Sequence, residues 1–150
     1  MVMTRKQLLR SIDSGRVKAA IQNAERQTSG EIVVSVAPFF WGSIPKAAKL
    51  TFNRLGVSRT SARNGVLFFI VPSRRQFVVL GDQGIHEKVG QEFWERVAAH
   101  LTEHFHIGEF TEGLVHGIEE VGRQLATYFP YDRLADANEL ADDIDFGGRE

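Results

Sequence analysis

The fold is decided by residues 65–81, GVLFFIVPSRRQFVVLG. Residues 65–71 are apolar on both strand faces, which is typical of a central strand covered from two sides. The turn at 72–75 is too short for a parallel crossover, so we expect 76–81 to return as an antiparallel neighbour. The sequence therefore predicts a hairpin whose first strand lies in the middle of the sheet.

The segments before and after this hairpin supply the other layers. Residues 31–37 are rich in β-branched side chains and end at Pro38, which predicts a strand. A predicted helix between Pro45 and Gly56 separates it from the central strand, so these two strands should be parallel. Apolar residues at helical spacing predict further helices over about 15–28, 89–105 and 110–129. Together these elements predict a three-layer α/β/α sandwich with a mixed sheet.

Length and composition indicate one domain spanning 1–150, with a core over about 15–129. The chain has no cysteine, which excludes disulfides and thiolate chemistry, and its net charge of −1 gives no general attraction to nucleic acid. The longest fully apolar run covers only residues 66–71, and the N-terminal segment lacks the apolar stretch of a signal peptide. We therefore expect a cytoplasmic protein without direct membrane insertion.

The C-terminal segment 130–150 is an acidic tail. It contains seven acidic residues and two arginines, a net charge of −5, so residues 1–129 carry +4. Leu140, Ile144 and Phe146 interrupt the acids, which favours a tail docked on the domain over a free coil.

The predicted topology brings several turns to one end of the sheet, here called the acidic end. It comprises residues 29–31, 63–65 and 81–87, the last of which leave a strand and enter a helix. Glu31, Asp82 and Glu87 could supply the oxygens that Ca²⁺ or Mg²⁺ prefers. In the alternative interpretation, the glycines shape a turn while the acids cap helices and pair with Arg63.

The opposite end of the sheet, here called the aromatic end, carries Phe39, Phe40 and Trp41 beside the hairpin turn at 73–75. These aromatic side chains are either a patch that binds a protein partner or ordinary core beneath a loop. A stretch without acidic residues carries five arginines that divide between the two ends and could bind phosphate groups or simply face solvent: Arg54, Arg59, Arg63, Arg74 and Arg75.

Histidines and nucleophile motifs give little support for catalysis. His100 and His104 are four residues apart on a predicted helix, but the residues between them do not form a His-Glu-x-x-His pattern. No Walker loop and no Gly-x-Ser-x-Gly elbow is present in the sequence. The sequence therefore identifies no catalytic residue.

The order of short motifs resembles the TPM-domain family, in particular its soluble bacterial branch. The resemblance rests on TSGEIVV at 28–34, NGVL at 64–67, GDQGI at 81–85 and FxxGxFxxGL at 105–114. It implies an α/β/α sandwich, binding of a divalent metal, and the acid phosphatase activity attributed to plant members. Many relatives carry an acid directly after the third motif, where this chain has His86 followed by Glu87.

Three functional interpretations follow. The first is a non-catalytic or accessory binding domain that holds Ca²⁺ or Mg²⁺ and assists a membrane- or stress-related protein partner. The second is a metal-assisted phosphatase that uses the acidic end. The third is a protein-interaction module that uses the aromatic loop at 39–41.

Overall fold

The computed structural model describes residues 4–131 and 144–147. Its strands form one sheet in the order β1-β2-β3, with β1 at Glu31–Val36, β2 at Gly65–Val71 and β3 at Gln76–Gly81. Its α-helices are α1 (Arg5–Arg10), α2 (Ser14–Glu25), α3 (Ile44–Arg54), α4 (Gln83–Val89), α5 (Gln91–His106) and α6 (Phe110–Tyr128).

The sheet is mixed, as the sequence predicts. β1 runs parallel to β2, with Glu31 opposite Gly65. β2 and β3 are antiparallel, with Val66 opposite Gly81. The single turn of 3₁₀ helix at Pro72–Arg74 joins them, and Arg75 completes the turn with a positive φ of 50°. The hairpin and the bounds of β2 and β3 are therefore confirmed.

Helices cover both faces of the sheet, which confirms the three-layer sandwich. On one face, alternate residues of the strands such as Phe68 pack against α2, α5 and α6. On the other face, Leu67 and Phe69 pack against α3. Every residue of β2 is buried because it lies between these two cores.

The glycines of α6 allow that helix to approach its neighbours closely. A Cβ at Gly117 would lie 3.0 Å from the ring of Phe68, and one at Gly122 would lie 2.8 Å from the Cβ of Ala24. Gly117 therefore lets α6 lie close against the sheet, and Gly122 lets it lie close against α2.

The structure departs from the sequence prediction at α4. A single helix over 89–105 was expected, whereas α4 already begins at Gln83 and is separated from α5 by Gly90, whose φ is 77°. Gly84, which signals a turn in the sequence, lies inside α4. It is required there because a Cβ would lie 2.2 Å from the carbonyl oxygen of Ala62.

The described part of the tail, residues 144–147, lies along the free edge of β1. Asp145 donates its N–H to the carbonyl of Val34 at 2.9 Å and accepts from the N–H of Val36 at 2.8 Å. Ile144 and Phe146 are half-buried against the larger core. The tail is thus docked at these residues, while the rest of 132–150, including Leu140, lies outside the described residues.

Among the described residues, no helix combines the length and the apolar character that are needed to cross a bilayer.

Candidate functional site

The acidic end is assembled by three strand ends, as expected. The register places Glu31 beside Gly65, and β3 ends at Gly81 beside Val66, so the turns at 29–31, 63–65 and 81–87 meet at one end of the sheet.

Asp82 is the most heavily bonded side chain at the acidic end. Its carboxylate accepts from Nε of Arg63 at 2.7 Å and from Nη2 of Arg63 at 2.9 Å, which makes a bidentate ion pair. It also accepts from the N–H of Gln83 at 2.8 Å, which caps α4. Hydrogen bonding to this carboxylate, with its charge, raises the pKa of Arg63 above its ordinary value. The helix cap and the Arg63 pair are the arrangement of the alternative interpretation.

Buried oxygen atoms lie beside this ion pair. Glu31 and Asn64 are both almost completely buried. The Asn64 amide donates to Oγ of Ser29 at 3.3 Å, and its own N–H donates to Oγ1 of Thr60. Within the part of the chain that the structure describes, its Oδ1 accepts no hydrogen bond. A buried carbonyl oxygen without a donor is costly, which makes this atom a candidate cation ligand.

The predicted metal ligands differ in burial. Glu31 and Asp82 are buried, but Glu87 is exposed on α4. Across residues 4–131 and 144–147, no group of three or more His, Asp or Glu side chains is arranged to hold a metal ion. The metal site at Glu31, Asp82 and Glu87 therefore stays a prediction.

The histidines of α5 are engaged with glutamates. Nδ1 of His100 lies 2.7 Å from Oε1 of Glu120, and Nδ1 of His104 lies 3.2 Å from Oε1 of Glu109. These contacts link α5 to α6 and to the turn between them, which is a structural role at the solvent edge.

The aromatic end contains a groove of about 560 Å³, here called the aromatic groove. Trp41 is 88% exposed and Phe39 37% exposed on its rim, whereas Phe40 turns inward and packs edge-to-face on Phe69. The predicted trio thus divides between the groove and the core. The lining residues are Leu8, Ser11, Phe39, Trp41, Pro72, Ser73, Arg74, Arg75, Gly108 and Phe110.

Two arginines donate hydrogen bonds to backbone carbonyls around the aromatic groove. Nη1 of Arg74 donates to the carbonyls of Phe40 and Gly42, at 3.2 and 2.9 Å. Nη1 of Arg75 donates to the carbonyl of His106 at 2.8 Å. The hairpin turn therefore holds both the aromatic loop and the end of α5, so the groove is formed before any ligand arrives.

Sequence reasoning missed two walls of the aromatic groove. Leu8 comes from α1 and Phe110 from the start of α6, and both are buried. They lie far from the aromatic loop in the chain, and their apolar character signals only that they are core. No local pattern could have assigned them to a binding groove.

The comparisons with known proteins agree with the fold. The TPM domain family model matches residues 2–124, and this chain belongs to that family. No curated protein matches it.

Two solved structures share the architecture. The NMR structure of BA42 from the psychrophilic bacterium Bizionia argentinensis is 34% identical, with a TM-score of 0.82, covering 91% of this chain and 95% of that one. The N-terminal domain of cg2496 from Corynebacterium glutamicum is 14% identical, with a TM-score of 0.59, covering 74% and 70%. The second likeness shows the fold alone.

Proposed function

We propose that this TPM domain is a non-catalytic binding domain that holds a segment of a protein partner in the aromatic groove. The observation that carries the proposal is the exposure of Trp41 on the rim of a preformed groove. A large aromatic side chain left in water is unfavourable for a solitary domain and is typical of binding anchors.

The charge of the aromatic groove indicates the kind of segment. Arg74 and Arg75 line it, and among the described residues none of those that line it is acidic. Each guanidinium uses Nη1 for a backbone carbonyl, and its other N–H groups can donate to a carboxylate. The expected ligand therefore combines acidic side chains with an apolar or aromatic residue that packs on Trp41.

An NMR titration tests this proposal with a synthetic acidic peptide that alternates Asp with Phe and Leu. We expect the indole N–H signal of Trp41 to shift. The signal of Trp94 serves as an internal reference, because its indole donates to Nδ1 of His86 at 3.1 Å and its side chain is buried. A peptide with Lys in place of Asp should shift neither signal.

Variants sharpen the test. Trp41→Ala should weaken binding by roughly 30-fold, equivalent to the loss of about 2 kcal/mol at an anchor residue. Leu50→Ala is the matched control, because Leu50 is 72% exposed on α3 and does not line the groove. Equal binding by the Trp41 and Leu50 variants, or equal response to the lysine peptide, would refute the proposal.

A second candidate is binding of Ca²⁺ or Mg²⁺ at the acidic end. It is supported by the buried Oδ1 of Asn64, which lies beside the strand ends that carry Glu31 and Asp82. A site built from few side chains should be weak and completed by carbonyls and water. Melting temperature should rise with added Ca²⁺, and Asp82→Asn should blunt that rise while His100→Ala should not. A Ca²⁺ response that is unchanged in the Asp82 variant would eliminate this site.

The finer expectations remain predictions. A metal-assisted phosphatase would need a cation at the acidic end. A phosphatase assay with Mg²⁺ on the wild type and on Asp82→Asn decides it, and we expect background rates for both. The cytoplasmic location and the membrane- or stress-related partner are likewise predictions.

A further inference from the structure

The hydrogen-bond pattern between β2 and β3 shows which backbone groups of β3 point away from the sheet at its outer edge. The N–H of Asp82 donates to the carbonyl of Gly65, so these two residues face one another across the hairpin. In an antiparallel pair, successive residues of a strand alternately bond to the neighbouring strand and point away from it. Counting backwards from Asp82, every second residue of β3 therefore bonds to β2. The N–H and C=O groups of Phe77, Val79 and Gly81 therefore point away from the sheet.

These outward groups have no hydrogen-bond partner among the residues that the structure describes. In the part of the chain that the structure describes, no hydrogen bond reaches the backbone of Phe77, Val79 or Gly81 from outside the sheet. All of β3 is at least partly exposed, whereas β2 is buried throughout. Within residues 4–131 and 144–147, this edge therefore has no partner from its own chain.

The opposite edge of the sheet is treated differently. The outward N–H of Ile32 donates to Oε2 of Glu25 at 2.8 Å. Farther along β1, Asp145 bonds to Val34 and Val36. The chain therefore closes the β1 edge with its own residues, whereas no described residue closes the β3 edge.

The open edge also lacks the usual protection against pairing. Its sequence, QFVVLG at 76–81, contains no charged side chain and no proline, the residues that commonly block edge strands. Shallow depressions lie beside both ends of the strand, of about 400 Å³ near Gln76 and about 270 Å³ near Gly81. Side chains of α3 line both depressions, and the ring of Trp94 lies against Gly81.

We propose that β3 pairs antiparallel with β3 of a second copy of this chain, about a two-fold axis at Val79. Val79 would face its own equivalent, and Phe77 would face Gly81 of the partner subunit. Each of these pairs exchanges both backbone hydrogen bonds, because all three residues point outward. The result is one continuous sheet across the dimer, an isologous interface.

A second copy fits this edge better than an unstructured peptide. The outward residues are spaced evenly about Val79, so one two-fold register satisfies all of them. The incoming strand is already ordered by its hairpin, so pairing does not incur the entropy of ordering a flexible segment.

Hydrogen exchange by NMR tests the proposal on the wild-type chain, with sedimentation at the same micromolar to millimolar concentrations. We expect a monomer–dimer equilibrium. Amide exchange at Phe77, Val79 and Gly81 should slow in proportion to the dimeric fraction, while Val78 and Leu80, which bond to β2, stay protected at every concentration. A chain that remains monomeric, or a dimer in which the outward amides exchange independently of concentration, overturns the proposal.

A proline variant gives an independent measurement. Val79→Pro removes an N–H that no bond inside the described chain uses, so edge pairing should be lost while the fold survives. A folded Val79→Pro chain that dimerises like the wild type would also overturn the proposal. If that variant does not fold, the exchange pattern of the wild type decides the question alone.

Discussion

Removal of the docked tail should measurably destabilise the domain. The perturbation is a chain that ends at residue 143, and the matched control is a chain that ends at residue 147. The two differ only by the residues that lie along β1, because both lack 148–150. Asp145 is central to the difference, since its backbone bonds to Val34 and Val36 and its carboxylate accepts from Ser35 and Arg54, both at 2.8 Å.

The magnitude follows from these contacts. Each of the two backbone hydrogen bonds contributes about 1 kcal/mol, and the charge-assisted contacts of Asp145 together add about 1.5 kcal/mol. The half-buried side chains of Ile144 and Phe146 add about 1 kcal/mol each. Ordering four residues costs about 1 kcal/mol per residue. The net loss on truncation is therefore about 1–2 kcal/mol.

Thermal and urea unfolding measure this difference. For a chain of this size, about 1–2 kcal/mol corresponds to a fall in melting temperature of roughly 2–8 °C. The urea midpoint should fall in parallel. Identical melting temperatures for the chains ending at 143 and 147 would show that the tail contacts contribute no net stability, and the reasoning would be wrong.

Three further predictions concern single groups. Burial raises the pKa of Asp145, but the hydrogen bonds from Arg54, Ser35 and Gly147 outweigh it, so its pKa lies below the ordinary 3.8. The stabilising contribution of the Asp145 carboxylate should be complete above pH 3.8 and lost as the pH falls through its lower pKa in the folded state. The melting temperatures of wild type and Asp145→Asn, measured as a function of pH, should therefore converge at that low pH. Gly84→Ala should destabilise the fold by about 1–3 kcal/mol in urea unfolding, because its Cβ would collide with backbone oxygens; a neutral result would contradict the close approach. Trp41→Ala should leave the melting temperature within about 1 °C of wild type, since surface changes are nearly neutral, and a large fall would show that Trp41 serves the core.

The class of fold was predictable because its signals are local. A strand that is apolar on both faces must be covered twice, and a four-residue turn permits only a hairpin. The bounds of β2 and β3 follow from these constraints alone. The acidic end was predictable in outline, because strand directions determine which turns meet.

The identity of the groups that contact one another was decided by tertiary structure. Gly84 signals a turn locally, yet it lies within α4, and glycine is needed there because the backbone at Ala62 leaves no room for a Cβ. The same three-dimensional packing turns Phe40 inward while Trp41 stays in water, although the two are neighbours in the chain.

The two edges of the sheet show the division most clearly. Local sequence signals predict that β1 and β3 are strands, and both are rich in apolar residues. Only the folded chain determines that Asp145, more than a hundred residues away, bonds to the edge of β1, while no described residue bonds to the outer edge of β3. The reason is physical: backbone hydrogen-bonding groups are the same at every residue, so which of them are satisfied depends on what the rest of the chain brings beside them.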